Sequence, residues 1–272
     1  EMPQRFYDVG IEEEHAVTFS AGLAAGGMRP FCNIYSSFSQ RAFDQIFHDI
    51  CLQEVPVTIC IDHAGLAGED GATHQGVYDL SFLRSMPGLI VLHPRDTQEF
   101  ARMLKFASNC ERAVAIRYPK GSAPIINGEN NFSDLNWDYI KRGNKGTILA
   151  FGACIETAIE VAGRFDFSVV DARTLKPFDE NILNEISLKP VVVIEDNSAI
   201  GGLYEGVLHY YSQNNMNVKV YGYFLKDDFV NIGTVEEQFA DNKIDAKINQ
   251  LGVEFDTFLV GSKIDKDIQQ RD

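Results

Sequence analysis

The chain has 272 residues, 45% of them hydrophobic and 23% charged, and its 39 acidic against 24 basic residues give a formal net charge of −15. That apolar content is enough for one large domain or two of ordinary size and excludes disorder as the default state. The acidic excess argues against nucleic acid and anionic membrane surfaces as partners, because both are recognised through basic patches. It leaves room for one small anionic substrate held locally. No apolar run approaches the ~20 residues that cross a bilayer. The five cysteines (Cys32, Cys51, Cys60, Cys110, Cys154) are odd in number and scattered, several inside apolar stretches. This is the usage of a reduced, cytoplasmic protein with core thiols rather than of a disulfide framework. The sequence opens at Glu1 without an initiator Met or a basic-then-apolar leader, so no signal peptide is read and the natural start is expected to lie elsewhere.

Along the chain, short apolar runs alternate with helical periodicity, which points to α/β architecture with mostly parallel sheets. Residues 12–25 read as a helix rich in small side chains, 30–35 as a strand, and Phe38, Ala42, Ile46 and Ile50 as the apolar stripe of the next helix. The continuous apolar run 55–61 suits a strand covered on both faces. A glycine-dense loop follows, then a strand (88–93), a helix (97–108) and a strand (113–117). From 119 to 146 the pattern dissolves into Gly, Asn, Pro and Ser, the composition of a linker. A second series then begins, with strands at 147–151, 167–171, 191–195 and 218–223 and helices at 156–165, 179–186 and 202–212. The expected organisation is two three-layer α/β domains, 1–120 and 147–255, joined by a linker at 121–146 and followed by a polar, fraying tail at 256–272.

Three clusters could carry chemistry. Glu12, Glu13 and Glu14 begin a helix, where the macrodipole favours negative charge. Helical rotation nevertheless sends them to different faces, and an inward one would need a partner. Tyr35-Ser36-Ser37-Phe38 with Arg41 lies beyond the carboxyl end of a predicted strand, where ligands bind in open α/β sheets. Phe38 there could stack on a planar ring or simply head the apolar face of its helix. The loop from Asp62 to Gly76 holds His63, His74, Glu69, Asp70 and four glycines. Glycine permits close approach to a ligand and imidazole exchanges protons near neutral pH. The loop fits neither a P-loop, an EF-hand nor a His-Glu-x-x-His zinc helix, and no metal ligands are assigned.

Taken together and in this order, the segments Asp8-Val9-Gly10-Ile11-Glu12-Glu13-Glu14-His15-Ala16-Val17, Ile34-Tyr35-Ser36-Ser37-Phe38-Ser39-Gln40-Arg41-Ala42, Gly68-Glu69-Asp70-Gly71-Ala72-Thr73-His74-Gln75-Gly76 and Arg117-Tyr118-Pro119-Lys120-Gly121 resemble the 1-deoxy-D-xylulose-5-phosphate synthases of the transketolase superfamily. Asp171-Ala172-Arg173 with Lys176-Pro177, and Glu195-Asp196-Asn197 with Gly201-Gly202, continue the likeness, which runs from about residue 5 to 248. The resemblance implies a thiamine-diphosphate enzyme. In it Glu13 would face N1′ of the cofactor's aminopyrimidine, Phe38 would stack on that ring, Ile11 would pack nearby and Arg41 would lie beside it. Glu13 would favour the imino tautomer whose N4′ deprotonates the cofactor's thiazolium carbon. Tyr35, Arg41, Asp70 and His74 would surround the reacting carbons, with Asp70 orienting a hydroxyl and His74 moving a proton.

The reaction implied joins pyruvate to glyceraldehyde 3-phosphate with loss of carbon dioxide, a step toward isoprenoid precursors, thiamine and pyridoxal. Two positions depart from the family pattern. Where arginines are associated with the acceptor's phosphate, this chain has His63 and Lys120. Lysine keeps the charge without the planar fork, and an ordinary imidazole is mostly neutral at pH 7. Acceptor identity is therefore open, although Arg117 and Lys120 remain candidate anion holders. The family's diphosphate- and Mg2+-binding segment is absent from the sequence, as are the first strand and helix of the pyrimidine-binding domain. The resemblance thus implies a cofactor site completed by further polypeptide, on the same or another chain, and a homodimer. The other readings are an enzyme with the same cofactor and a different acceptor, and a non-catalytic binding module.

Overall fold

The computed structural model describes residues 3–121, 126, 132 and 134–244. Helix α1 (Glu13–Ala25) turns Glu13, Val17, Ser20, Ala21 and Ala24 inward, positions that share one helical face. Strand β1 (Phe31–Tyr35) alternates, with Cys32 and Ile34 buried and Phe31 and Tyr35 exposed. The single helix expected next is broken into α2 (Ser36–Ser39), a 3-10 turn (Gln40–Ala42), α3 (Phe43–Gln45) and a π-helical stretch (Ile46–Cys51). A strict four-residue apolar repeat overshoots the ~3.6-residue α-helical turn. Tightening and then widening the turn keeps Ala42, Ile46 and Ile50 on the buried side.

Strand β2 (Thr58–Asp62) follows, then α4 (Asp79–Ser85), β3 (Ile90–Leu92), α5 (Thr97–Asn109) and β4 (Val114–Arg117). Asp96 caps α5 by accepting from the backbone N–H groups of Gln98 and Glu99. The second series comprises β5 (Asp138–Lys141), β6 (Thr147–Ala150), α6 (Cys154–Phe165), β7 (Ser168–Asp171), β8 (Thr174–Lys176), α7 (Glu180–Ile186), β9 (Val191–Ser198), α8 (Leu203–Gln213), β10 (Val220–Leu225) and α9 (Val235–Asp241). Two five-stranded sheets result, in the orders β1-β2-β4-β3-β8 and β10-β9-β6-β7-β5. Their pairings are parallel except for β8 against β3 and β5 against β7, so the expected pair of mostly parallel α/β sheets is present.

The two halves are more entangled than the sequence suggests. Strand β8 comes from the second half yet completes the first sheet, pairing Val91 with Lys176 and Leu92 with Thr174. One buried cluster contains Ile59 and Leu83 together with Leu149, Val170 and Val193. The stretch 121–146, read as linker, contributes β5 and the buried Trp137, whose indole N–H donates to the Thr174 carbonyl at 2.8 Å. Glycine and asparagine around it mask a short run of strand-forming residues. Helices α4 and α9 were likewise not anticipated, and the expected tail at 256–272 lies outside the described residues. All five cysteines are free, four buried and Cys110 half-buried. Burial pushes the Cys51 thiol up to about 11 and Cys60 to about 12, which keeps both protonated and inert. Among the described residues no helix is long and apolar enough to cross a membrane.

Candidate active site

The parallel strands β1, β2 and β4 bring their carboxyl ends to one end of the first sheet, and the site is built there from those ends, the amino end of α1, α2 with the 3-10 turn after it, and the loop that follows β2. Of the three leading glutamates, Glu13 is the buried one, because it shares a helical face with Val17 and Ala21, whereas Glu12 is exposed. Its Oε1 accepts from Arg41 Nη1 at 3.1 Å. The Arg41 guanidinium carbon also sits 4.8 Å from the centre of the Phe38 ring, a cation–π distance.

Phe38 is the hinge of an aromatic stack. Its ring is nearly parallel to that of Tyr35 at 5.8 Å, and His74 meets its edge at 5.1 Å. Tyr35, at the end of β1, is stacked in turn on His63 at 4.1 Å. His63 follows the last residue of β2 in a left-handed conformation, φ 57°, and both its backbone N–H and its Nδ1 are within 3.0 Å of Asp62 Oδ1. Its Nε2 faces Asp70 Oδ2 at 3.8 Å. Asp70 accepts from Lys120 Nζ at 2.6 Å. That hydrogen bond holds the Asp70 carboxyl below the usual carboxylate range, so it is ionised at neutral pH.

Asp70 and His74 ride on a loop closed at its neck by paired bonds between Gly65 and Gly76, at 2.7 and 2.8 Å. Gly65 cannot be replaced cheaply: its φ is 82°, and a Cβ there would lie 2.0 Å from Asp196 Oδ2. Beside the stack lies a cavity of about 560 Å3, bordered by Phe38, Arg41, Thr73, Gln75, Tyr78 and Phe229.

The structure therefore brings Glu13, Tyr35, Phe38, Arg41, His63, Asp70, His74 and Lys120 together. Two expected residues stand apart. Ile11 is 87% exposed, so the packing role expected of it is not met by described parts of this chain. Arg117 is fully buried and cannot hold a substrate anion. Its Nε and Nη2 donate to both oxygens of Asp79 at 2.7 and 2.8 Å, and Nη1 donates to His93 Nδ1 at 3.1 Å. Nη2 also reaches the Gly76 carbonyl and Asn197 Oδ1, each at 3.3 Å. Burial first, and the Arg117 charge second, push His93 well below its ordinary range, leaving it a neutral acceptor. Arg117 is thus a buried tie under the neck of the loop. Tyr78 and Phe229 were missed by sequence reasoning. Phe229 follows the polar Lys226-Asp227-Asp228 and carries no pattern that marks it.

Known proteins resemble this chain over nearly all of its length. Residues 1–125 match the family model for the transketolase pyrimidine-binding domain and 135–247 that for the transketolase C-terminal domain. A 1-deoxy-D-xylulose-5-phosphate synthase of Clostridium perfringens is 40% identical over 257 residues, covering 91% of this chain and 42% of the relative. One from Carboxydothermus hydrogenoformans is 40% identical over 245 residues, covering 86% and 39%. The chain thus spans about two fifths of the length of these curated relatives. Among solved structures, a split-gene transketolase described as an inactive β4 tetramer superposes with a TM-score of 0.83 at 29% identity, covering 90% of this chain and 82% of that one. On the strength of these matches and of the two sheets that carry the site, the chain belongs to the transketolase superfamily, contributing its pyrimidine-binding and C-terminal domains.

Proposed function

We propose that this chain forms the pyrimidine-binding side of a thiamine-diphosphate-dependent enzyme that condenses pyruvate with glyceraldehyde 3-phosphate to 1-deoxy-D-xylulose 5-phosphate and carbon dioxide. The observation that carries the reading is Glu13: a buried carboxylate tied to Arg41, next to a Phe38 ring that borders an open cavity. Burying a carboxylate is costly unless a partner repays it. A ring nitrogen bearing a proton would be a second partner, and Phe38 offers the aromatic face for the same ring, so the residues present fit an aminopyrimidine.

When bound, the cofactor supplies a nucleophilic carbon and the electron sink that lets a 2-keto acid lose carbon dioxide. Glu13 holds the proton at the pyrimidine nitrogen. Phe38 fixes the ring plane, and Arg41 neutralises Glu13. Asp70, ionised, accepts a hydroxyl hydrogen of the acceptor, while His74 moves a proton at the acceptor's carbonyl oxygen. The diphosphate and its Mg2+ are assigned to polypeptide outside these 272 residues. The split-gene neighbour, most of whose length this chain covers and which is described as a β4 tetramer, supports a second polypeptide as the source and association of copies of this chain; a homodimer is the assembly proposed.

A second reading keeps the cofactor and changes the acceptor. Where a phosphate would be gripped, the carboxylates of Asp62 and Asp70 surround His63, and the Lys120 ammonium is already engaged by Asp70. That arrangement is less welcoming to a dianion than paired guanidinium forks and favours an uncharged hydroxyaldehyde. Turnover of pyruvate by the complete enzyme with phosphorylated and unphosphorylated aldehydes separates the two. Carbon dioxide release with neither, while thiamine diphosphate is bound, refutes both.

A further inference from the structure

The loop that carries Asp70 and His74 is gripped from the C-terminal half of the chain. Gln238, on α9 and 3% exposed, lies against Gly68. Its Oε1 accepts from the Gly68 N–H at 3.0 Å and its Nε2 donates to the Gly68 carbonyl at 2.9 Å. The same Nε2 donates to the Asn231 carbonyl at 2.9 Å. Both polar groups of one peptide residue are thus satisfied by one side chain, in the manner of a strand pairing. From inside the loop Gln75 completes the bracket: its Oε1 accepts from the Ala67 N–H at 2.8 Å, and its Nε2 donates to the Gly68 and Gly71 carbonyls at 3.3 and 3.2 Å. Gly68 has φ 71° and opens the 3-10 turn Gly68–Asp70, so the orientation of that peptide sets where Asp70 begins.

We propose that Gln238 is a positioning residue for the acceptor end of the site: it fixes the Gly68 peptide and thereby aims the Asp70 carboxylate at Lys120, His63 and the acceptor. The C-terminal half of the chain thereby takes part in substrate selection without touching substrate. This rests on the reading that Asp70 and His74 serve the acceptor. Glu13 and Arg41 hydrogen-bond to each other and not to Gln238 or Gln75, and the donor side meets the loop at the His74–Phe38 ring contact, so it is the less disturbed of the two.

The test uses the complete enzyme, with wild type, Gln238→Ala and Gln238→Glu compared. Gln238→Ala raises KM for the aldehyde ~10- to 100-fold, as small misplacements of reacting groups do, while KM for pyruvate changes far less. Gln238→Glu keeps an acceptor for the Gly68 N–H but sets a carboxylate against two carbonyls, so its aldehyde KM improves as pH falls and the carboxyl gains a proton. Amide hydrogen exchange at residues 68–74 accelerates in Gln238→Ala with the thermal midpoint of the C-terminal half preserved. An equal loss on pyruvate and aldehyde, or unaltered exchange at Gly68, overturns the proposal. If wild type turns over no aldehyde at all, the functional reading fails, and the exchange measurement still decides whether Gln238 holds the loop.

Discussion

Replacing Arg117 by Met tests the buried tie beneath the loop. The substitution removes the partner of a fully buried Asp79 carboxylate, which loses hydrogen bonds of 2.7 and 2.8 Å, and strips His93, the Gly76 carbonyl and Asn197 Oδ1 of a donor. Removing one member of a buried ion pair costs about 3–5 kcal/mol, because the remaining charge is left without compensation. Against a total stability of ~5–15 kcal/mol for a typical folded protein, that is about a fifth or more of what holds the molecule together. Equilibrium urea unfolding, followed by circular dichroism at pH 7, measures it. Arg117→Met should lose about that amount. Adding Asp79→Leu to it should recover most of the loss, since an apolar pair of similar volume carries no stranded charge. A loss below ~1 kcal/mol in the single variant would show that Asp79 is relieved by water or by protonation, and would refute the account of Arg117 as a structural tie.

Two further outcomes follow from the site and its surroundings. Arginine at both His63 and Lys120 should lower KM for glyceraldehyde 3-phosphate about tenfold or more, the worth of one or two charge-assisted hydrogen bonds; no change, with good use of an unphosphorylated aldehyde, would favour the second reading. Glu195, fully buried under the amino end of α8, accepts from the backbone N–H groups of Leu203 and Tyr204 at 2.9 Å each, yet burial raises its carboxyl from 4.5 to about 8. The folded state therefore binds a proton that the unfolded state releases between those values, and stability falls as pH rises from ~5 to ~8. Thermal melts across that range should show the decline, and Glu195→Gln should flatten it; an equally steep decline in the variant would assign it to another group.

Local periodicity locates the candidate clusters, whereas the choice of Glu13 among the three glutamates and the roles of Phe38, Asp70 and His74 rest on the family resemblance. The ~100° of rotation that separates Glu13 from Glu14 is a property of any α-helix, Glu12 being the non-helical residue before it, and Tyr35, Phe38 and the loop after Asp62 sit at strand ends, where parallel sheets bind ligands. What escaped depends on distant partners. Strand β8 is three residues long, too short for a period-two signal, and its place in the first sheet is fixed by tertiary packing alone. Arg117 was read as a substrate cation from its charge, although it ends a strand buried at all four positions, where a charge must find a partner inside. Gln238 is one more polar residue beside Glu236 and Glu237 in the sequence. Nothing local marks it as the one facing Gly68. Strand β5 and Trp137 are hidden in the stretch read as linker because glycine and asparagine flank them and their partners are distant, Thr174 lying 37 residues from Trp137.

In the proposed function Glu13 serves a thiamine cofactor in two-carbon transfer from pyruvate. It is tested most directly by carbon dioxide release from labelled pyruvate, measured on this chain together with the diphosphate-binding polypeptide proposed to complete it, for wild type and Glu13→Ala. On this reading release should require both thiamine diphosphate and an aldehyde acceptor, and should vanish in Glu13→Ala while its circular dichroism spectrum and thermal midpoint stay close to wild type. Turnover by Glu13→Ala within a few-fold of wild type, or no release by wild type with the cofactor bound and aldehyde present, would contradict it.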